Sequence, residues 1–575
     1  MARAGDFRVD RSDQGRGGAK AVGCLLAVLV LLVYATLQLA SLGHPLFWQD
    51  EGETVMFGQR ILDYGYPKVH ADGNVVYGMG IPLELAVDAD RDAYTGSLWG
   101  QYYLAAFAVW FAQDSDDLYR HSAQVRLPFA LLGMLGLGIL FLSARSALAG
   151  GRWGLPGAAA AYGLLLCLST SLILHLREVR YYAPALFLLA LVVWLQSTRP
   201  PGRNESSAGR ALAMACALLL LFNFFHPAAM AAALWVCVEW FVWARRSSEP
   251  LAASIRRARS FWFAMIALLG LALAIASGFG LPALSQVLSQ RWGFGPGLYL
   301  ANLHSLFGYL LRYEFLGPLL VLEAALFLAR SRVGAGAEDA PSRAMHDSLL
   351  RLTLIYALVG AGNPVFFERY FVPLGPLIGL VVVIDLEMLW RALGRFAAAG
   401  KLRSPAAVLA GSCLAMLAVV GVIRAPELKG RLDEIRRPVE GPVDAAIEFI
   451  RARYPDPSTL LIATNYEAEP FMYYLGSRVV GRFHAGRPAA IAAEAALDPD
   501  LVIPRSAQPR SHGAVRRYLL AGRFERHALD VSDTEYNNIP ELSAGRLLST
   551  THRFSTSRPP EDGPPLAIYQ RRPEP

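Results

Sequence analysis

The sequence predicts a polytopic α-helical membrane protein of about eleven spans, followed by a soluble C-terminal α/β domain. Three observations predict this fold class. Hydrophobic residues make up 54% of the 575 residues and charged residues only 18%, whereas a soluble domain is nearer a quarter charged. Several separate apolar runs are long enough to cross about 30 Å of hydrocarbon. From residue 425 onward the composition changes to that of a small soluble domain.

The net charge of +7 does not indicate a nucleic-acid partner, because the basic residues are scattered over short loops instead of gathered on one face. The cysteines all lie in apolar runs, where cysteine behaves as a small hydrophobic residue. They are Cys24, Cys167, Cys216, Cys237 and Cys413. We therefore expect neither a disulfide framework nor a cysteine-based metal site.

The first apolar run, 21–43, is too long for a cleavable signal and is interpreted as an uncleaved anchor. The other predicted spans are 124–144, 154–174, 182–197, 210–225, 227–244, 260–282, 307–329, 349–363, 370–390 and 405–423. Every second loop is rich in arginine, which marks the cytoplasmic side. This pattern predicts a cytoplasmic tail over 1–20 and an exterior, periplasmic position for residues after 424, in a bacterial inner membrane.

The long first exterior loop, 44–123, contains two amphipathic stretches, 53–64 and 98–112, and the second fits a helix lying in the membrane interface. The transmembrane domain is predicted to cover 21–424. The α/β domain is predicted over 425–557, with a proline-rich tail at 558–575. Helical periodicity at Val443–Tyr454, Ala489–Leu497 and Ala514–Leu520 alternates there with short apolar runs at Thr459–Ala463 and Asp500–Ile503, which read as strands.

Two adjacent acids, Asp50 and Glu51, follow the first span. They stand beside Phe47 and Trp48, aromatic residues of the kind that lie at the lipid–water boundary. General base catalysis on a lipid-borne substrate needs a carboxylate in this position. Acids are also favoured in the first turn of a solvated helix, so the pair alone does not establish catalysis.

Other polar residues are predicted to face the same compartment. The exterior end of the third span reads LHLREVRYYAP, and the turn between the ninth and tenth spans reads FFERYFVPLGPL. Arginine suits phosphate oxygens, and carboxylates near arginines and tyrosines at a lipid boundary fit a polyprenyl-phosphate sugar. Alternatively, the arginines pair with Glu178 or with loop acids, Arg369 lies at the interface as a snorkelling side chain, and His226 ends a helix. The candidate substrate contacts are His175, Tyr182, His226, Glu368 and Tyr370.

Four pieces of sequence together resemble the C-type (GT-C) membrane glycosyltransferases, in the superfamily of protein O-mannosyltransferases and lipid A aminoarabinose transferases. The pieces are FWQDEGETVMFGQRILDYGYP, GSLWGQYYLAAFAVWFAQ with QVRLPFALLGMLGLGILFLSAR, SLILHLREVRYYAPALFLLAL, and FFERYFVPLGPLIGL. The resemblance implies inverting transfer of a sugar from a polyprenyl-phosphate donor at the exterior face. It makes Asp50 the leading base, with Glu51 as its helper. It implies donor-phosphate contacts from Arg177, Arg180, Tyr181 and Arg369.

The chain departs from this family where YTGSLWGQYY replaces a proline-rich entry to the interfacial helix. Metal dependence stays open, because some members of the superfamily use a divalent cation and others do not. Acids spaced as Asp88-x-Asp90-x-Asp92 and Asp114-x-Asp116 occur in the first loop, although exposed acidic loops more often bind nothing specific. No metal ligand is assigned from the sequence.

The function that the sequence favours is a hexosyl- or pentosyltransferase acting on a polyprenyl-phosphate donor in the bilayer. The acceptor is predicted to be an envelope lipid, glycan or protein. One alternative is a lipid-linked-sugar transporter or flippase, although the notable charges lie at the exterior edge instead of mid-span. The other is a polyprenyl-diphosphate glycan ligase, for which a large late exterior loop would be expected.

Overall fold

The computed structural model describes residues 11–76, 83–112, 115–149, 154–198, 208–246, 250–281, 285–287, 295–333, 339–363, 366–400, 440–481, 497–505, 512–533 and 565–573, with isolated residues between 408 and 429. The helices are α1 Arg11–Leu39, α2 Gln49–Tyr64, α3 Leu83–Ala86, α4 Gly100–Phe111, α5 Leu118–Ser143, α6 Arg145–Leu148, α7 Gly154–Leu168, α8 Thr170–Leu176, α9 Tyr182–Thr198, α10 Ala208–Phe224, α11 His226–Arg246, α12 Leu251–Arg257, α13 Arg259–Gly278, α14 Pro296–Tyr313, α15 Leu316–Val333, α16 Ala340–Ala361, α17 Leu374–Ala398, α18 Pro442–Arg453, α19 Ala468–Leu475 and α20 His512–Ala521. The strands are β1 His70–Ala71, β2 Asn74–Val75, β3 Val87–Asp88, β4 Ala93–Tyr94, β5 Leu461–Thr464, β6 Arg478–Val480, β7 Leu501–Ile503, β8 Phe524–Ser532 and β9 Pro565–Arg571.

Long apolar helices form the first part of the chain. Within the described residues, four segments are long and apolar enough to cross a membrane: Ala21–Leu39, Leu118–Ser143, His226–Arg246 and Arg259–Gly278. Shorter apolar helices cover Gly154–Leu168, Tyr182–Ser197 and Ala208–Phe224. A multi-pass membrane protein is therefore supported, but the count of about eleven spans is not confirmed. Within the predicted span 405–423 the structure describes isolated residues only.

Two predicted spans are interrupted instead of continuous. The run 154–174 divides at Ser169, whose side chain caps α8 by accepting from the backbone N–H of Leu172. The run 307–329 divides between α14 and α15, at Glu314 and Phe315. These breaks meet, because the Ser169 hydroxyl donates to a Glu314 carboxylate oxygen at 3.0 Å. Apolar composition could not locate them, since the partners of Glu314 include Ser169, which is distant in sequence.

The first loop contains helices at the two predicted amphipathic stretches and also two small hairpins that were not predicted. The amphipathic stretch 53–64 lies in α2, and the stretch 98–112 contains α4. The hairpins pair β1 with β2 and β3 with β4. Apolar residues of α2, including Met56 and Phe57, share one hydrophobic core with Ile447 of α18 and Phe471 of α19. The C-terminal domain thus packs directly on α2.

The C-terminal domain is α/β, as predicted. Its five-stranded sheet has the order β6-β5-β7-β9-β8, with β5 parallel to β6 and β7, and with β9 antiparallel to β7 and β8. The predicted strands and the helices at 443–454 and 514–520 correspond to β5, β7, α18 and α20, each shifted by a few residues. The helix predicted at 489–497 lies outside the described residues except for Leu497. The structure places β9 inside the sheet, so the domain that we bounded at 557 extends at least to Arg571.

Candidate functional site

The two adjacent acids of α2 point into different surroundings. Asp50 and Glu51 occupy the first turn of the helix, where the positive end of the helix dipole favours acids. The Asp50 side chain is 21% exposed, whereas that of Glu51 is fully buried. Because consecutive helical residues lie about 100° apart around the axis, one acid can face an opening while the other faces the protein interior.

Asp50 meets two arginines that come from distant parts of the sequence. Its Oδ2 atom lies 3.4 Å from Arg180 Nη2 and 3.1 Å from Arg369 Nη2. Arg180 follows α8, and Arg369 lies in the 3-10 turn Glu368–Phe371 just before α17. Arg180 Nη1 also donates to the Asp50 carbonyl at 3.0 Å and to the Thr54 hydroxyl at 2.9 Å. The Asp50 carboxylate therefore forms ion pairs with two guanidinium groups.

Several N–H donors of these guanidinium groups have no partner among the described residues. Both arginines are over nine-tenths buried, and among the described residues Arg369 Nε, Arg369 Nη1 and Arg180 Nε have no hydrogen-bond partner. The Arg369 guanidinium lies 4.2 Å from the Phe367 ring centroid and 5.6 Å from that of Trp48. A buried charged donor that makes no hydrogen bond lowers the stability of the protein by about 1–3 kcal/mol or more. Such donors suit an anion with several oxygens.

Glu51 forms a closed ion pair in the interior. Its carboxylate takes two bonds from Arg126 of α5, with Nε to Oε1 at 2.8 Å and Nη2 to Oε2 at 2.5 Å. The backbone N–H of Val179 donates to the same Oε1 at 2.9 Å. Arg126 Nη1 donates in addition to the carbonyls of Leu42 and Pro45. Glu51 therefore joins α2 to α5 and to the segment that carries Arg180.

A second pair of carboxylates lies beside Asp50 and includes one from the C-terminal domain. The Tyr102 hydroxyl donates to Glu53 at 3.0 Å, and the Gln49 amide donates to Glu469 of α19. Burial raises the pKa of Glu53 to about 7. Burial also raises the pKa of Glu469 to about 8, and the neighbouring Glu53 charge adds to that rise. Near neutral pH these acids hold protons that an exposed acid would have lost.

Aromatic rings surround the arginines. Tyr181 stacks on Phe225 with centroids 4.7 Å apart and contacts Tyr182 at 4.5 Å. Tyr370 lies 5.5 Å from Phe225. His226 is exposed at the start of α11, with its ring 6.5 Å from Phe225. These rings give the site an apolar wall beside its charged centre.

The remaining predicted residues lie around this group. Arg177 Nη2 donates to the Ala40 carbonyl at 2.7 Å, just past the end of α1. His175 is buried and its Nδ1 lies 3.1 Å from Glu178 Oε1. Glu368 begins the 3-10 turn, but its side chain is outside the described part of the chain. The structure thus brings Asp50, Arg180, Arg369, Tyr181, Tyr182 and Tyr370 together, and it places Arg177, His175 and Glu51 in supporting contacts.

Sequence reasoning missed several partners in this region. Arg126 was the residue with a usable signal, because an arginine inside the apolar run QVRLPFALLG needs a partner by default. Glu53 and Tyr102 resemble ordinary residues of amphipathic helices. Glu469 comes from another domain, 420 residues away from its partner Gln49, and no local pattern marks it.

Two of the first-loop acids that we considered for a metal, Asp92 and Asp88, have protein partners. Asp92 Oδ1 lies 2.6 Å from His70 Nδ1, and its Oδ2 accepts from the His70 backbone N–H at 3.0 Å. Asp88 lies 3.6 Å from Arg91 and accepts from the backbone N–H of Asp90. Asp114 is outside the described residues. Nothing in this geometry draws these acids toward one point, so no step of the chemistry is assigned to them.

No family model and no curated protein matches this sequence. Among solved structures, the chain is similar to the apo form of the oligosaccharyltransferase of Archaeoglobus fulgidus, with a TM-score of 0.50, 12% identity, and coverage of 89% of this chain and 76% of that one. It is also similar to AglB of Archaeoglobus fulgidus in complex with an inhibitory peptide and a dolichol-phosphate (TM-score 0.49, 10% identity, 90% and 76% covered). A third similar structure is ArnT from Cupriavidus metallidurans bound to undecaprenyl phosphate (TM-score 0.48, 15% identity, 96% and 99% covered). The likeness to the first of these concerns the fold alone.

Proposed function

We propose that this chain is a membrane glycosyltransferase that moves a monosaccharide from a polyprenyl-phosphate donor to a lipid, glycan or protein acceptor. The observation that carries this proposal is the Asp50 carboxylate shared by Arg180 and Arg369, whose buried N–H groups lack partners among the described residues. In this arrangement the candidate base, Asp50, contacts the two arginines that are the candidate anion site. The GT-C fold is consistent with this chemistry, although a fold alone does not assign a function.

The arginines would hold the phosphate of the donor. Arg369 Nε and Nη1 and Arg180 Nε are the donors that remain for phosphate oxygens. When the bond between the sugar and the phosphate breaks, its electron pair passes to the phosphate oxygen. Preorganised cationic donors stabilise that developing charge in a site from which water is excluded. Tyr181 and Tyr370 would line the same pocket.

Asp50 would act as the base. Its carboxylate is the one in this group that is partly exposed, so an acceptor hydroxyl or amine can reach it. The acceptor atom attacks the anomeric carbon as the phosphate leaves from the opposite face, and the acceptor proton passes to Asp50. This displacement inverts the anomeric centre. Glu51 would help by fixing α2 through Arg126, since both of its oxygens already accept hydrogen bonds.

The site is proposed to face the exterior of a bacterial inner membrane, with the C-terminal domain on the same side. The contact between Gln49 and Glu469 supports that part of the topology, because it requires α2 and α19 to share one compartment. Modification of the C-terminal domain by a reagent confined to the cytoplasm would reverse this assignment.

The test compares purified wild type with Asp50→Asn and Asp92→Asn on a panel of radiolabelled polyprenyl-phosphate sugars. Asp92→Asn is the matched control, since it makes the same change in the same loop on a carboxylate bonded to His70. We expect wild type and the control to transfer or slowly hydrolyse one donor, and Asp50→Asn to lose about 10²–10⁴-fold, the usual contribution of a general base. Full activity of a folded Asp50→Asn protein would refute the base assignment.

A lipid-linked-sugar flippase is the second candidate. The observation in its favour is the meeting of two interrupted helices at Ser169 and Glu314, since broken helices mark binding sites in many transporters. A flippase would bind one donor saturably, leave the sugar–phosphate bond intact in every variant, and move the lipid across vesicles. Release of free polyprenyl phosphate in the panel separates the two functions.

A further inference from the structure

A cluster of potential metal ligands lies within the helical bundle, far from Asp50. Glu323 of α15, His346 of α16 and Asp385 of α17 converge there. The end of α16 near the candidate site is identified by the Tyr356 hydroxyl, which donates to the Tyr370 carbonyl at 3.0 Å. His346 lies ten residues before Tyr356, about 15 Å along the helix at 1.5 Å per residue. The cluster is therefore separate from the proposed transfer site.

The ligand atoms of the cluster face one another. His346 Nε2 lies 2.6 Å from Glu323 Oε1 and 3.0 Å from Asp385 Oδ1. The three ligand atoms all lie within 4.8 Å of one another. Ligands at about 2.0–2.2 Å from a tetrahedral Zn²⁺ lie roughly 3.3–3.6 Å apart. Small side-chain rotations would lengthen the observed distances between the ligand atoms to those needed around the ion.

A carboxylate contacts the His346 ring nitrogen that faces away from the cluster, as is usual for a metal-binding histidine. His346 Nδ1 lies 2.9 Å from Asp347 Oδ1. With the imidazole proton on Nδ1 and donated to Asp347, a bound cation would take the Nε2 lone pair between Glu323 and Asp385. A carboxylate that holds the far nitrogen of a metal-bound histidine is the common outer-shell arrangement in zinc sites.

Asp385 gives an independent indication. The residue is fully buried, and neither of its carboxylate oxygens has a hydrogen-bond partner among the described residues. Its Oδ1 atom makes only the ion-pair contact with His346. An ionised carboxylate is very costly to bury unless it is paired or bound to a metal. Within the described part of the chain, Asp385 Oδ2 thus has no hydrogen-bond partner, and it lies where two other ligand groups converge.

The charges of the cluster also leave room for a dication. A protonated His346 would face the three carboxylates Glu323, Asp347 and Asp385, for a net charge of −2. A neutral His346 with a divalent cation would leave a net charge of −1. Arg330 of α15 acts electrostatically on Asp385 and Asp347 and adds one positive charge to either count. Arg351 and Arg391, on the same helices, have partners in Glu239 and Glu387.

We propose that Glu323, His346 and Asp385 bind a divalent cation of the zinc type. Two carboxylate oxygens and one imidazole nitrogen form a three-ligand set, and the fourth position is left to water. The ion would join α15, α16 and α17 into one rigid unit. Because α17 directly follows the turn that holds Arg369, this unit would brace the donor side of the site without touching substrate.

The experiment measures zinc binding by protein purified without a histidine tag. The full chain in detergent is stripped with a chelator, titrated with ZnCl₂, and analysed for bound zinc and for its thermal midpoint. We expect one high-affinity zinc per chain and a rise of the midpoint in wild type. Glu323→Gln and His346→Gln should lose both effects, and Asp347→Asn should weaken binding about 10- to 100-fold as an outer-shell change does. His304→Ala, which alters an exposed histidine on α14, is the matched control and should bind as wild type does.

Three outcomes would overturn the proposal. If wild type binds no zinc and shows no shift of its thermal midpoint, the cluster is an ion pair only. Equal zinc uptake by wild type, Glu323→Gln and His346→Gln would place the ion elsewhere. Equal loss in His304→Ala would mean that uptake reflects exposed histidines. Should His346→Gln fail to fold, Glu323→Gln decides the question, because the Glu323 side chain is 30% exposed and its replacement keeps the same shape.

Discussion

Replacing Arg369 by lysine tests the proposed donor site most directly. Arg369 Nη2 lies 3.1 Å from Asp50, while Nε and Nη1 are buried without partners among the described residues. A guanidinium can present these N–H groups side by side to two phosphate oxygens. A lysine ammonium keeps the positive charge but offers only a point donor. The variant therefore removes bidentate geometry while it preserves charge.

The expected loss follows from one missing charge-assisted hydrogen bond. Such a bond contributes about 1.5–3 kcal/mol. At 1.4 kcal/mol per tenfold change, this corresponds to a donor affinity about 10- to 140-fold weaker. The ring of Phe367, 4.2 Å from the guanidinium centre, can still hold a cation, so we expect the fold to survive.

The assay is competition of unlabelled polyprenyl phosphate against a radiolabelled donor on purified protein. Arg177→Lys is the matched control, because Arg177 and Arg369 are equally buried, each 7% exposed. Arg177 donates to the Ala40 carbonyl, a contact that one lysine N–H can replace. We expect a weaker donor affinity for Arg369→Lys alone. An unchanged affinity for Arg369→Lys would remove it from the site, and an equal loss in both variants would restore Arg177 as a phosphate ligand and refute the geometric argument.

Three further outcomes follow from the contacts around α2. Glu51→Gln should lower stability by about 3–5 kcal/mol, because it leaves the Arg126 charge buried without its partner; an unfolding midpoint equal to that of wild type would contradict this. Gly52→Val should abolish transfer and expose the C-terminal domain to protease, since a Cβ at Gly52 would lie 2.7 Å from Pro470 Cδ. An unchanged digestion pattern would show that close packing of Gly52 on Pro470 is not needed. The thermal midpoint should fall as pH rises from about 4.5 toward 8, because folded Glu469, with its pKa raised to about 8, keeps a proton that the unfolded chain loses near 4.5. Glu469→Gln should flatten that fall, and an unaltered slope would exclude this carboxylate as its source.

The fold was predictable from the sequence to the extent that hydrophobic periodicity records it. Long apolar runs predicted α1, α5 and α11, and amphipathic spacing predicted α2 and α18, in each case within a few residues. The break at Glu314 was not predictable, because its carboxylate is satisfied by Ser169, which is distant in sequence. The short strand β9 follows a proline-rich stretch and is stabilised by β7 and β8 on either side, so local composition could not assign it to the sheet.

The candidate site was predictable where charge next to a membrane is unusual. Asp50, Arg180 and Arg369 stood out for that reason, and the structure brings them within ion-pair distance. Asp50 is partly exposed beside the arginines, whereas Glu51 is buried against Arg126. This difference depends on the direction that each side chain takes from α2, which adjacency in sequence does not reveal. The contribution of Glu469 depends on how two domains pack, and a single sequence carries no pattern for that.

The place of β9 in the sheet has a consequence for biosynthesis. The strand lies between β7 and β8, so the ribosome must reach residues 565–571 before the sheet can close. At roughly 5–20 residues per second, the about 90 residues between α19 and β9 take on the order of 5–18 s to translate. During that interval the early helices can already occupy the bilayer while α2 lacks the finished domain on which it rests. We expect the C-terminal sheet to close only after β9 has left the ribosome.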